Sequence, residues 1–574
     1  MNAHRLLELY DRIAEAPDAV DRLRRFVLDL AVRGKLVEQD ASDEPASELL
    51  NKVVFERAKL VDAGAAKKAK SLDAVDEPPF EIPDSWIWSR LGIIAGYIQR
   101  GKSPKYAARD GAPVVSQKCV QWSGLDLSVA KQVTREALEK YETIRFLQPG
   151  DLLWNSTGTG TIGRIIRLVD PPAGLVCDSH VTVVRCVHVN PEFVRTWLRS
   201  DHVYGVIEDS SAGSTNQIEL TAKFANNQPV PIPPLAEQQR IVAKVEELMA
   251  LLGRLEATRT ARETIRDRLT TASLARLTAP DSDPEAFPDH ARFALDALPA
   301  LTARPKQIGS LRETILNLAI RGRLVEQDPS DEPASELMDR LQRRREELID
   351  SKKLRRLKMP PKPDSEELGF NVPTGWLAAR LGEIYDVRDG THDTPKYVSE
   401  GVPLVTSKNL SSGVLSFDGV KLISEEDHRK ISQRSLVEKN DVLFAMIGSI
   451  GNPVIVDTNK AFSIKNVALF KYIDSKDQSP KFLKYLLEFA SHVMRNEATG
   501  GLQPFVSLGY LRSFPIALPP LVEQHRIAEK VDELMGLTDR LEAAIRISEA
   551  TRGRLLEATL HKALGAPSSE REAA

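Results

Sequence analysis

Cysteine is nearly absent from this 574-residue chain. Cys119, Cys177 and Cys186 are the full set, and none forms a Cys-x-x-Cys pair. That argues against a disulfide scaffold or a zinc cluster and fits a reducing cytosol. No run of about 18 uncharged apolar residues occurs, so no membrane span is predicted. The opening "MNAHRLLELYDRIAEAPDAVDRL" is charged throughout and holds no signal-peptide core, which predicts a cytoplasmic protein. A field of one sign is missing too. The formal net charge is −3, so any nucleic-acid face must be local.

What is present is repetition. "LDLAVRGKLVEQDASDEPASEL", Leu28 to Leu49, returns as "LNLAIRGRLVEQDPSDEPASEL", Leu316 to Leu337, with 18 of 22 positions identical. "PPLAEQQRIVAKVEELMALLGRLEA" from Pro233 returns as "PPLVEQHRIAEKVDELMGLTDRLEA" from Pro519. The middles match only at anchors. Trp86-x-x-x-Arg90-Leu91-Gly92 answers Trp376-x-x-x-Arg380-Leu381-Gly382, Pro104-Lys105-Tyr106 answers Pro395-Lys396-Tyr397, and Asp151-Leu152-Leu153-Trp154 answers Asp441-Val442-Leu443-Phe444. Near-identical flanks point to one task done twice, and divergent middles to two versions of a second task.

The predicted domains are a helical segment and connector at 1–79, a first middle at 80–232, a central helical region with the second connector at 233–367, a second middle at 368–518 and a last helix at 519–574. After Pro233-Pro234, a good helix start, Ile241, Val245, Leu248, Leu252 and Leu255 follow a coiled-coil spacing. Ile527, Val531, Leu534, Leu541 and Ile545 repeat it, with Thr538 interrupting. Without a strong breaker to about Ala275, each rod is expected to reach roughly 60 Å. The middles carry short β-branched and aromatic runs such as "APVVSQKCV", "DLLWNS", "VPLVTSKNL" and "DVLFAMI", with turn residues between them. The fold class expected is mixed α/β: two domains with twisted sheets, separated by long antiparallel coiled-coil helices in a pseudo-two-fold tandem repeat.

Catalytic readings fail one by one. "STGTGTIGRI", Ser156 to Ile165, matches G-x-G-x-x-G, but a dinucleotide loop needs a helix opening at the last glycine. Here Pro171-Pro172 follows a β-branched run, and the second copy, "MIGSIGNPVI", keeps only Gly-Ser/Thr-Ile-Gly. That predicts a turn between strands. Asp170-Pro171-Pro172-Ala173 resembles an adenine-methyltransferase motif but has Ala where a base-stacking aromatic is needed, and the other half lacks it. Ten histidines are scattered, and His180 has Asn466 as its counterpart. No Ser/His/Asp set, metal-spaced cluster or Walker loop stands out. No intrinsic catalysis, metal site or cofactor site is expected.

The two "PPL-x-EQ-x-RI" helix starts, the two "LA-[VI]-RG-[KR]-LVEQD-x-SDEPASEL" segments and the "GD-LLW…GTIG" pattern resemble the specificity subunit of type I restriction-modification systems, over nearly the whole chain. The resemblance implies that each middle is a target recognition domain reading one half of a bipartite, asymmetric site on double-stranded DNA. It implies that the rods dock two modification subunits, which methylate adenine with S-adenosylmethionine, and that restriction/translocase subunits using ATP and magnesium join them. None of those cofactors would bind this chain. A coiled-coil scaffold carrying two protein-binding domains, and a stand-alone methyltransferase, are the alternatives.

Phosphates are held by Lys, Arg, hydroxyls and backbone N–H groups, and bases are read by Arg, Asn, Gln, Ser and Thr. Loops rich in these types supply the candidates. In the first middle they are Arg100, Lys102, Lys105, Tyr106, Gln117, Lys118, Gln121, Asn155, Thr157, Thr159, Ser214, Thr215, Asn216 and Gln217. In the second they are Arg388, Thr391, His392, Lys396, Tyr397, Ser407, Lys408, Asn409, Gly448, Ser449 and Gln503. Lys118 and Lys408 stand out, because both follow matched strands, in "SQKC" and "TSKN".

Overall fold

The sheets of each middle hang from a two-stranded antiparallel ribbon at the foot of each long helix. In the computed structural model, which describes residues 15, 16, 18–63, 72–103, 106, 107, 111–207, 220–278, 287–448, 450–477, 479–497 and 505–565, strand Ile87–Arg90 pairs antiparallel with Pro229–Ile232. Pro233-Pro234 then ends the strand, and the helix Leu235–Thr278 begins at once. The second copy pairs Leu377–Arg380 with Pro515–Leu518 and continues into the helix Leu521–Gly565. Each middle therefore leaves and rejoins the helical frame at adjacent points. The two helices have 44 and 45 residues, or roughly 65 Å each.

Two units form, one from the described residues up to 261 with those from 549, the other from 262 to 548. In the first, Ala95–Arg100, Val181–Cys186, Leu152–Asn155 and Ile165–Arg167 make an antiparallel sheet in that order. A second sheet runs Val176–Cys177, Ala112–Val115, Lys131–Val133, Tyr106–Ala107, its first pair parallel. The second unit repeats both. Tyr385–Asp389, Val467–Tyr472, Val442–Ala445 and Gly451–Ile455 form one sheet. Ser463–Ile464, Val402–Val405, Lys421–Ile423 and Tyr397–Val398 form the other. The predicted single run "APVVSQKCV" is broken, because Ser116 to Cys119 turns between Ala112–Val115 and Val120–Gln121.

The seam of each long helix meets a short helix of the repeat segment. Ile241 and Val245 pack with Val27, Leu28 and Ala31 of Ala19–Val32. Ile527 and Val531 share a core with Ile315, Leu316 and Ala319 of Pro305–Ile320. Thr538, the apparent interruption, is buried, accepts a hydrogen bond from Arg312 Nε at 3.1 Å and donates to the Met535 carbonyl.

The repeated motifs are joints between these parts. Trp86 Nε1 donates to Glu237 Oε2 at 2.9 Å, and Trp376 Nε1 donates to Glu523 Oε2 at 2.9 Å. Gln238 and Gln524, both buried, donate to the Pro233 and Pro519 carbonyls. Arg240 grips Asp43 with two hydrogen bonds, as Arg526 grips Asp331. Gly34 and Gly322 have φ of 67° and 68°. A Cβ there would lie 2.5 Å from Pro83 Cγ and 2.7 Å from Pro373 Cγ, so only glycine admits the proline and tryptophan of the joint. The next residue caps a helix end: Lys35 donates to the Leu564 carbonyl and Arg323 to the Leu277 carbonyl. These carbonyls lie in the last turns, where helices leave acceptors unsatisfied and favour cations. Connector helices Ala46–Asp62 and Ala334–Asp350 dock through Arg57 and Arg345, which donate to the Gly92 and Gly382 carbonyls.

Candidate nucleic-acid interface

A strand end and a turn present an exposed lysine in each domain. After Ala112–Val115, Cys119 N–H donates to the Ser116 carbonyl and the Ser116 N–H reaches Cys119 Sγ at 3.4 Å. After Val402–Val405, Asn409 N–H donates to the Thr406 carbonyl and Thr406 N–H donates to Asn409 Oδ1 at 3.0 Å. The same backbone turn is thus closed by sulfur in one copy and by an amide in the other. Lys118 and Lys408 sit at the same place on it, both exposed and with no ion pair among the described residues. Their carbonyls are held by Gln121 and Ser411.

Beside this turn lies the glycine-rich stretch. Gly163 N–H donates to the Asn155 carbonyl at 2.9 Å, and the chain returns as strand Ile165–Arg167. In the second domain Ala445 pairs with Gly451 and strand Gly451–Ile455 follows. The stretch is a strand-to-strand turn in both copies and opens no helix. Gly160 and Gly448 have φ of 74° and 75°, and a Cβ on either would meet nothing within 4 Å, so both tips face open space.

Tyrosines mark the sheet edge. Tyr106 and Tyr397 are 41% and 45% exposed, on edge strands, and each carries a lysine of the neighbouring strand over its ring. Lys131 Nζ stands 4.6 Å from the Tyr106 centroid and Lys421 Nζ 6.0 Å from that of Tyr397. Burial raises the Tyr106 phenol above its usual range, so it stays a donor, to Asp178 at 3.4 Å. Lys131 and Lys421 were not among the expected residues. Lys465, which reaches Thr394, and Arg164, which spans Gln121 and the Gly160 carbonyl, were missed likewise. The spacing of Tyr-Lys pairs across two strands is a register fact and leaves no local sequence signal.

Three expected contacts point inward. Asn155 is fully buried and its Nδ2 donates to the carbonyls of Gln117 and Thr161, stapling the lysine turn to the glycine turn. Thr157 is buried against His180 Nδ1 at 2.7 Å. Asn409 is buried and spends its Oδ1 on Thr406. These side chains shape the turns and do not reach out of them. Several others are partly engaged. Arg100 donates to the Ser179 carbonyl, Arg388 pairs with Asp386, and His392 bridges Asp389 and Asn466. Gln117 is half-buried beside Gly158, and Gln121 accepts from Arg164. Lys102, Thr159, Lys396 and Gly448 are exposed, and Thr391 and Ser407 are half-buried. Lys105, Ser214, Thr215, Asn216, Gln217, Ser449 and Gln503 lie outside the described residues.

Among the described residues no group of His, Cys, Asp and Glu could hold a metal ion, and no helix is long and apolar enough to cross a membrane. Burial lifts the Cys177 thiol well above its usual value and Cys186 to about 12, so neither is a ready thiolate. Asp170 to Ala173 forms an exposed bend between strands Ile165–Arg167 and Val176–Cys177.

Comparison with known proteins follows the same lines. A chain solved in a study of complex assembly and conformational transition of the type I R-M system is 20% identical, with 84% of this chain and 99% of that one covered and a TM-score of 0.49. The EcoAI type I restriction enzyme specificity subunit of Escherichia coli is 29% identical over 590 residues, covering 95% of this chain and 94% of its own length. The EcoEI specificity subunit of the same organism is also 29% identical, over 569 residues, with the same coverage. The family model for the type I restriction modification DNA specificity domain matches twice, at residues 83–262 and 373–549. The chain therefore belongs to the type I restriction-modification DNA specificity family and carries its domain in duplicate.

Proposed function

We propose that each domain reads one half of a bipartite, asymmetric DNA site, and that the chain itself performs no chemistry. The observation that carries this reading is the matched pair Lys118 and Lys408, held by the same backbone turn beside an open glycine tip, while the polar residues around them differ between copies. A shared cation suits a phosphate, which every sequence offers. Differing neighbours suit different base words. The long helices would set the separation of the half-sites, since spacing follows protein geometry. The duplicated flanks would dock two adenine-N6 modification subunits, with restriction/translocase subunits joining them. S-adenosylmethionine, ATP and magnesium would belong to those partners.

Co-expression with the modification subunit and genome-wide mapping of methylated adenine tests the reading. The expected result is one bipartite motif with a fixed gap. A protein-binding scaffold would leave no motif. Deleting one heptad from each long helix should change the gap and keep both words; changed words with a constant gap would remove the spacer role.

A further inference from the structure

The two domains differ at one corner in a way that leaves matched gaps. In the first unit an aromatic cluster fills the space between the two-stranded ribbon and helix Pro191–Leu198. Phe80 packs on Trp88 at 5.2 Å and on Trp197 at 6.1 Å, and Trp88 meets Trp197 at 5.7 Å. Arg33 lies 4.6 Å from the Phe80 ring centroid and its Nε donates to Asp29 Oδ1 at 2.9 Å. Cation, counter-ion and indoles are all supplied by the chain.

The second unit keeps the frame and drops the contents. Phe370 stands for Phe80 and Arg321 for Arg33, with the guanidinium 5.5 Å from the Phe370 centroid. Ala378 replaces Trp88, Leu486 replaces Trp197 and Asn317 replaces Asp29. At this corner lies a cavity of about 480 Å³, lined by Phe370, Leu486, Phe489, Tyr510, Ala517 and Arg321 among others. Ala378 pairs with Ala517 across the two-stranded ribbon, so the missing indole belongs to this face. Arg321 gives one hydrogen bond, to the Thr278 carbonyl at 2.7 Å, but its buried Nε has no acceptor among the described residues. The buried Asn317 Oδ1 is likewise unmatched. Buried polar groups of this kind are costly unless something satisfies them. Glu367 on the wall is engaged by Arg380 at 2.8 Å and is not free to serve Arg321.

We propose that this cavity binds a small planar aromatic acid, its ring in the space that Trp88 fills in the first domain and its carboxylate on the edge of the Arg321 guanidinium that lines the cavity. The volume suits a small ligand. The floor of Phe370 offers an aromatic face, and the guanidinium offers the charge that Asp29 balances in the other copy. The first domain has no such site, because its own side chains occupy both positions. This inference does not rest on DNA recognition and is tested without DNA.

Isothermal titration of the full-length chain with indole-3-carboxylate and with indole is the experiment. The acid should bind at least about tenfold more tightly than indole, because only it satisfies the guanidinium. Ala378→Trp should abolish binding of both. Asn317→Asp restores the internal counter-ion and should weaken the acid by about tenfold while leaving indole nearly unchanged; this variant decides the matter if Ala378→Trp folds poorly. No binding of either compound at millimolar concentration would overturn the site. So would equal binding of acid and indole, binding that survives Ala378→Trp in a folded variant, or an acid affinity that Asn317→Asp leaves unmoved.

Discussion

The Trp86–Glu237 joint and the glycine turn lie in one unit and have fared differently on duplication. In the second copy the joint has the same atoms at the same 2.9 Å separation. The turn has lost a glycine, and Ala445 stands where Asn155 had stapled it to the lysine turn. A joint buries an indole, a carboxylate and a glycine whose Cβ has nowhere to go, so almost any change costs stability. An open tip has few neighbours, so its residues are free to answer to something outside the chain.

The contrast breaks most sharply at the tryptophans. Trp86→Ala and Trp376→Ala should each cost about 3–5 kcal/mol in the unit that holds them, seen as an early calorimetric transition. A clear inequality between the two would mean that the joints are not equivalent. Asp43→Asn and Asp331→Asn, which weaken the two-pronged arginine grips, should each cost about 1–2 kcal/mol by denaturant unfolding. Lys118→Ala and Lys408→Ala should leave stability alone. Each should weaken binding to all DNA sequences similarly, by about 1 kcal/mol, and flatten the salt dependence by roughly one unit. A changed methylation motif would instead assign these lysines to base reading.

The smallest effect sharpens the joint itself. Burial raises the Glu237 and Glu523 carboxyls above the ordinary value, against the lowering effect of the tryptophan hydrogen bonds. A raised folded value favours the protonated form. The stability it contributes is fully present below the unfolded carboxyl value and is lost as pH rises through the raised one. Glu523→Gln should therefore flatten the stability profile just above the ordinary carboxylate range. Glu237→Gln should flatten it too but cost more outright. Glu237 Oε1 accepts from Gln39 Nε2 at 3.2 Å, an acceptor that the amide can lose, whereas the buried Glu523 Oε1 has no donor among the described residues.

Much of this was legible in the chain. The seam from Ile241 and the strands "DLLWNS" and "DVLFAMI" follow from period and residue type, which are local properties. The pairing of Gly160 with Gly448 exposed the glycine stretch as a turn, because a proline follows in the second copy. The polar turn residues were misread in part. Asn155, Thr157 and Asn409 have the chemistry of base readers, but the same amides and hydroxyls satisfy turn backbone, and composition does not tell one use from the other. Lys131 and Lys421 escaped notice because what gives them a place is the tyrosine opposite, across a strand pair.

The sequence by itself determined the duplication, the two long helices, the two α/β middles and the family, since each is written in motifs or short-range periodicity. Only the tertiary structure decided which turn side chains point outward, why Gly34 and Gly322 must be glycine, and that Lys35 and Arg323 close distant helix ends. The emptied corner around Arg321 belongs there too. Leu486 and Arg321 are far apart in the chain and line one cavity, and Ala378 lies across the strand pair from its wall residue Ala517.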